Sequence, residues 1–121
     1  MKKTETLKKN YEFLRIYKRG RFFAGKYLVI YVLENQSEVN RLGITVSNKI
    51  GKSVKRNRLK RLIRECYRLY EEFISGGLDI IFVARKVEEE YGFAEIKKEM
   101  KFLLNRMKIF NKEKWEEQKS Q

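Results

Sequence analysis

Histidine is absent from the 121 residues, and cysteine occurs once, at Cys66. The first absence removes the commonest metal ligand and general base, and with it every serine or cysteine triad built on an imidazole. The second excludes an internal disulfide and any zinc site that needs several thiolates. A carboxylate-bound magnesium site remains conceivable, although most acids are interspersed with basic residues and no Asp-x-Asp group occurs. No apolar run approaches the ~20 residues of a membrane span, so no membrane partner is expected. The opening Met1-Lys2-Lys3-Thr4-Glu5 leads into more charge rather than into the apolar core of a secretory signal, which predicts a cytoplasmic location.

What the chain has is positive charge. Lys and Arg number 29 against 16 Asp and Glu, a formal net charge of +13, while 42% hydrophobic and 13% aromatic residues suffice for a core. One domain spanning residues 1–121 is expected, folded over about 7–110, with a tail at 111–121 loosely held unless Trp115 packs back. The excess charge is concentrated: between Val39 and Arg64 there is no acid, and Arg41, Lys49, Lys52, Lys55, Arg56, Arg58, Lys60, Arg61 and Arg64 supply nine cations. Such a surface suits nucleic acid better than anionic lipid. Any chemistry is expected to be performed by something other than this chain.

Asn10 before Tyr11–Lys18, with Gly20 beyond, predicts an N-cap, a short amphipathic helix and a glycine stop. Tyr27–Leu33 reads as a strand, Glu34–Glu38 as a hairpin loop and Arg41–Ser47 as a second, antiparallel strand. Gly20–Lys26 is a weaker candidate for an edge strand because of its glycines. Asn57–Phe73 is the clearest helix, with Leu59, Leu62, Ile63, Cys66, Leu69, Tyr70 and Phe73 in one apolar stripe. The opposite face collects Asn57, Lys60, Arg61, Arg64 and Arg68, with Arg56 and Arg58 at its margins. Gly76-Gly77 ends that helix, Leu78–Arg85 is a buried-looking strand, and Phe93–Met107 is a last amphipathic helix.

Arg56-Asn57-Arg58, followed by Lys60-Arg61-Leu62-Ile63-Arg64-Glu65, resembles the signature of the protein subunit of bacterial ribonuclease P, the "RNR" family. Three further blocks in the same order resemble it too: Leu7–Phe13, Arg41–Gly51 and Asp79–Arg85, so that the likeness covers about residues 7–108. Asn48 departs from the family, which often has lysine there, and Tyr17 stands where phenylalanine is common. The resemblance implies an α+β fold, a single-domain α-β-β-β-α-β-α sandwich with a left-handed β-α-β crossover, like ribosomal protein S5 domain 2. That handedness would break the usual right-handed rule.

The resemblance also implies a role. The family's protein binds a large catalytic RNA and helps it remove the 5′ leader of precursor tRNA; the RNA holds the catalytic magnesium, and the protein binds no cofactor and shows no activity alone. A different class of function, a non-catalytic ribosomal or general RNA-binding protein, would use the same basic helix. No DNA partner is expected. Lys49, Lys52, Lys55, Arg56, Asn57, Arg58, Lys60, Arg61, Arg64 and Arg68 are the expected contacts to the catalytic RNA. A solvated helix face is the alternative, but such a face usually interleaves acids at i,i+4 and this one offers none before Glu65. Lys49, Lys52 and Lys55 are read as a loop before the helix N-terminus, where backbone N–H groups also favour phosphate. Asn57 suits a helix cap as well as it suits an RNA contact.

Phe13, Tyr17, Val29 and Tyr31 match the family's cleft for the single-stranded leader. Core packing between the first helix and the sheet is the competing reading; Tyr17 and Tyr31 weigh against it, since a buried hydroxyl needs a partner. Tyr27 and Phe22 are left open, whereas Leu28, Ile30 and Val32 on the other strand face read as core. Cys66, within the apolar stripe, reads as a small core residue.

Overall fold

The computed structural model describes residues 3–119; Met1, Lys2, Ser120 and Gln121, the last two part of the expected tail, lie outside the described residues. The elements run β1 (Thr4–Thr6), α1 (Asn10–Arg19), β2 (Arg21–Ala24), β3 (Leu28–Glu34), β4 (Asn40–Thr45), α2 (Ser53–Tyr70), β5 (Leu78–Ala84), α3 (Phe93–Arg106) and α4 (Lys112–Lys119). Single 3-10 turns at Asn48–Ile50 and Glu71–Phe73 bracket α2. The fold is α+β, with one mixed five-stranded sheet in the order β1-β4-β5-β3-β2. Among the described residues no helix is long and apolar enough to cross a membrane.

The sheet departs from the expected hairpin. β3 and β4 are not neighbours, because β5 lies between them, antiparallel to β3 and parallel to β4. The reason is in the composition: Leu-Asp-Ile-Ile-Phe-Val-Ala is buried at every position but Val83, and such a run is stable only where strands flank both edges and layers cover both faces. β4 and β5 are thus joined as a parallel pair through α2. β1, polar and three residues long, carries no periodic signal and was not expected; it pairs with β4, and its Thr4 hydroxyl meets the Tyr67 hydroxyl at 2.9 Å.

Helix boundaries also shift. Asn10 is not the cap of α1 but its first residue, with Lys9 in the capping position. Gly20 follows the helix in extended backbone, and it is glycine for space: a Cβ there would stand 2.6 Å from the Ile16 carbonyl oxygen. α2 begins a full turn earlier than the apolar stripe suggested. It takes in Ser53–Arg56, whose side chains lie mostly in solvent and so leave no hydrophobic period to read. Within the stripe Tyr67 is fully buried and Leu69 is 45% exposed.

The main core lies on one side of the sheet. Leu59, Leu62, Ile63, Cys66, Tyr67 and Tyr70 of α2, with Ile96, Met100, Leu103 and Leu104 of α3, pack on Leu28, Ile30 and Val32 of β3 and on Ile80 and Phe82 of β5. Fully burying one such side chain is worth about 1.5–3 kcal/mol. The tail joins this side too: Trp115 of α4 packs its ring 5.0 Å from that of Phe73 and 5.5 Å from that of Tyr70. Among the described residues, the other side of the sheet is covered by α1 and by Leu7 just before it.

Candidate nucleic-acid interface

α1 is anchored by its apolar side. Ile16 is fully buried against Ile81 and Leu7, while Phe13, Tyr17, Tyr31, Leu33 and Val83 pack around them half-buried. An ionic tether fixes the helix beside them. Arg41 of β4 holds Asp79 of β5 through two bonds, Nε to Oδ1 at 2.8 Å and Nη2 to Oδ2 at 2.7 Å, and reaches Glu12 of α1 with Nη1. Asn35 donates to the same Asp79 Oδ1 at 2.9 Å. These bonds, with Asp79 first, hold the Arg41 guanidinium proton more firmly than usual. Arg41, one of the nine cations counted for the polyanion, is therefore committed inside the fold.

The ten residues of α1 cannot cover the sheet, and an open groove of about 500 Å³ remains between α1, β4 and α2. Phe13, Leu14 and Tyr17 form one wall, Ile44, Thr45 and Val46 the other, and Lys60 of α2 stands at the rim with Asn10. Phe13 can approach the strand closely because residue 43 is glycine; a Cβ there would meet its ring at 2.6 Å. The Tyr17 hydroxyl pairs with that of Thr45 at 2.7 Å, and partial burial makes its proton harder to remove than in water. From the groove an aromatic row continues across the sheet: Phe13 to Tyr17 at 6.4 Å, Tyr17 to Tyr31 at 4.9 Å edge-on, and Tyr31 to Phe22 at 5.5 Å stacked. The structure thus brings Phe13, Tyr17 and Tyr31 together. Val29 lies on the same sheet face one side-chain step from Tyr31, outside the groove lining. Tyr27 belongs elsewhere, with its ring 4.7 Å from that of Tyr91.

The residues expected to contact the catalytic RNA fall into different settings. Lys60 lines the groove. Lys55 and Arg58 face a smaller cleft of about 220 Å³ beneath the loop Arg85–Tyr91. Lys49, Lys52, Asn57, Arg61 and Arg68 are exposed and Arg64 half-exposed. Of these, Arg61 approaches Glu65 at 3.9 Å; Arg56, half-exposed, is partly occupied by donating to the Gly51 carbonyl at 3.2 Å. Because α2 starts at Ser53, Lys52 occupies the capping position and Lys55 the first turn, so only Lys49 and Lys52 precede the helix. Asn57 falls in the second turn, where it cannot cap. No acid stands in that first turn, so the positive end of the helix dipole adds to the cations.

Cys66 is buried, and desolvation pushes its thiol up to about 11, as befits a packing residue. Among the described residues no three His, Cys, Asp or Glu side chains stand together as a metal site would require. Sequence reasoning missed Thr45 and left Phe22 open; the strand register, which sets Phe22 opposite Tyr31, carries the signal for the latter.

Comparison with known proteins bears on this arrangement. A family model described as Ribonuclease P matches residues 1–108. The ribonuclease P protein component of Clostridioides difficile (strain 630) is 48% identical over 108 residues, 88% of this chain and 95% of that protein. Among solved structures, the Staphylococcus aureus RNase P protein superposes with a TM-score of 0.80 at 37% identity, covering 88% of this chain and 97% of that one. The RNase P protein from Thermotoga maritima gives 0.76 at 35% identity, covering 84% and 96%.

Proposed function

Since the chain belongs to the ribonuclease P protein family, and is thereby an RNA-binding component of an endoribonuclease, we propose that it divides its surface between two RNAs. The exposed cations of α2, with Lys49, Lys52 and the cleft-facing Lys55 and Arg58, bind the phosphates of the catalytic RNA. The groove under α1 takes the single-stranded 5′ leader of precursor tRNA, with Phe13, Tyr17 and Tyr31 stacking on unpaired bases and Val29 bordering them. Such stacking tolerates any sequence, as leaders of differing sequence require. Lys60 at the rim neutralises a leader phosphate, so that the two surfaces meet at one side chain.

One observation carries this reading: an aromatic-walled groove opens directly beside the cationic helix, with Lys60 common to both. Phosphodiester hydrolysis needs a metal-activated water, and on this reading the RNA supplies the magnesium while the protein binds and orients. Nothing in the structure favours a general ribosomal RNA-binding role.

Reconstitution with the cognate catalytic RNA tests it. Tyr17→Ala and Tyr31→Ala should each weaken precursor tRNA by about 1–3 kcal/mol while mature tRNA, which has no leader, is held as before. Replacing Arg61 and Arg64 by alanine should flatten the salt dependence of catalytic-RNA binding by about one unit of slope per lost phosphate contact. Equal losses for precursor and mature tRNA, in variants that still melt cooperatively, would remove the leader assignment.

A further inference from the structure

Resting on the leader reading of the groove, we propose that Phe22 is an additional base-stacking platform, which carries the groove over the β2 edge to one more unpaired nucleotide. Tyr31 is already flanked by rings: Tyr17 stands edge-on to it at 4.9 Å, and Phe22 stacks on it at 5.5 Å with only 27° between the ring planes. A base at Tyr31 therefore packs against the part of the ring that these two neighbours leave half-open. Phe22, by contrast, is 64% exposed and sits on β2, the last strand on that side of the sheet, so its outer face is the free end of the row. A base placed there continues a stack that the protein has already built.

The surroundings suit a nucleotide. The next residue of β2 on the same face is Ala24, opposite Val29, which leaves a low apolar floor beside the ring. Lys18 and Arg19, in the last turn of α1 just before β2, are exposed cations for its phosphate. The competing role for Phe22 is structural, an apolar partner that steadies Tyr31 across the strands. That role needs contact area but no flat exposed ring, and the two make different demands on substitution.

The experiment uses the full chain reconstituted with its catalytic RNA, and precursor tRNAs whose leaders lengthen one nucleotide at a time, each with 2-aminopurine at a single leader position. Phe22→Ala should cost about fivefold or more in affinity, and the loss should appear only once the leader is long enough to pass Tyr17. Quenching of 2-aminopurine should be relieved at one distal position. Phe22→Trp should retain binding and quenching, whereas Phe22→Leu, which preserves the apolar contact with Tyr31, should behave as alanine does while melting like the parent. A loss equal at every leader length, full binding by Phe22→Leu, or loss of a concentration-dependent dimer on Phe22→Ala would overturn the proposal; the last would make the β2 edge a contact between copies. Failure of the parent protein to gain affinity from any leader would instead defeat the groove reading itself.

Discussion

On one face of the sheet α2 and α3 close over Leu28, Ile30, Val32, Ile80 and Phe82 and leave none of them more than 1% exposed; on the other, α1 buries Ile16 and Ile81 and leaves Phe13, Tyr17 and Tyr31 half-open to solvent. Both faces are rich in aromatic rings, so composition does not separate core from groove. Cover does. Helices of 18 and 14 residues seal one side, and ten residues of helix leave a slot on the other. Tyrosine occurs on both sides, and hydroxyls on both find partners: Tyr67 meets Thr4, Tyr70 donates to the Lys97 carbonyl, and Tyr17 meets Thr45. A tyrosine therefore does not by itself tell a groove from a core.

The contrast can be broken by disturbing one face at a time. Phe82→Ala on the sealed face should be the most damaging, removing about 3–5 kcal/mol of stability by denaturant titration. In protein that remains folded, the preference for precursor over mature tRNA should survive. Gly43→Ala should act the opposite way. A new methyl forces the Phe13 ring off the strand, for about 1–3 kcal/mol of stability, and the same movement should erase the precursor preference. Smallest is Tyr17→Phe, which deletes the bond to Thr45 and should lower stability by about 0.5–1.5 kcal/mol. It keeps the ring, so leader affinity should scarcely change; a loss as large as that of Tyr17→Ala would mean that the hydroxyl, not the ring, contacts RNA.

Most of the fold could be read from the sequence wherever one-dimensional periodicity reports burial. The α2 stripe, the α3 stripe and the alternation of β3 all appear in the structure as expected, and β2 forms where a weak edge strand was placed. The departures share a cause. Ser53–Arg56 is helical without an apolar period, β1 is too short and polar to show one, and Tyr67 replaces Leu69 in the core because β1 arrives to meet its hydroxyl. The insertion of β5 between β3 and β4 is a long-range pairing that no local pattern encodes. In the interface, charge located the cationic helix, but not which cations are free. Arg41 is committed to Asp79 and Glu12, and Lys60 turns to the groove, both through neighbours distant in sequence.

The position of β5 also sets the order in which the molecule can be completed. Tyr31 on β3 and Thr45 on β4 stand on opposite sides of a strand that does not begin until Leu78. A chain still being synthesised has both flanking strands long before the one that unites them, and their inner edges remain unpaired until it emerges. Contacts between residues so far apart in sequence slow folding and lengthen the time during which such edges are open to other chains. The groove is consequently among the last features to form, so that a nascent or truncated chain ending before Leu78 carries the cations of α2 without a place to hold a leader.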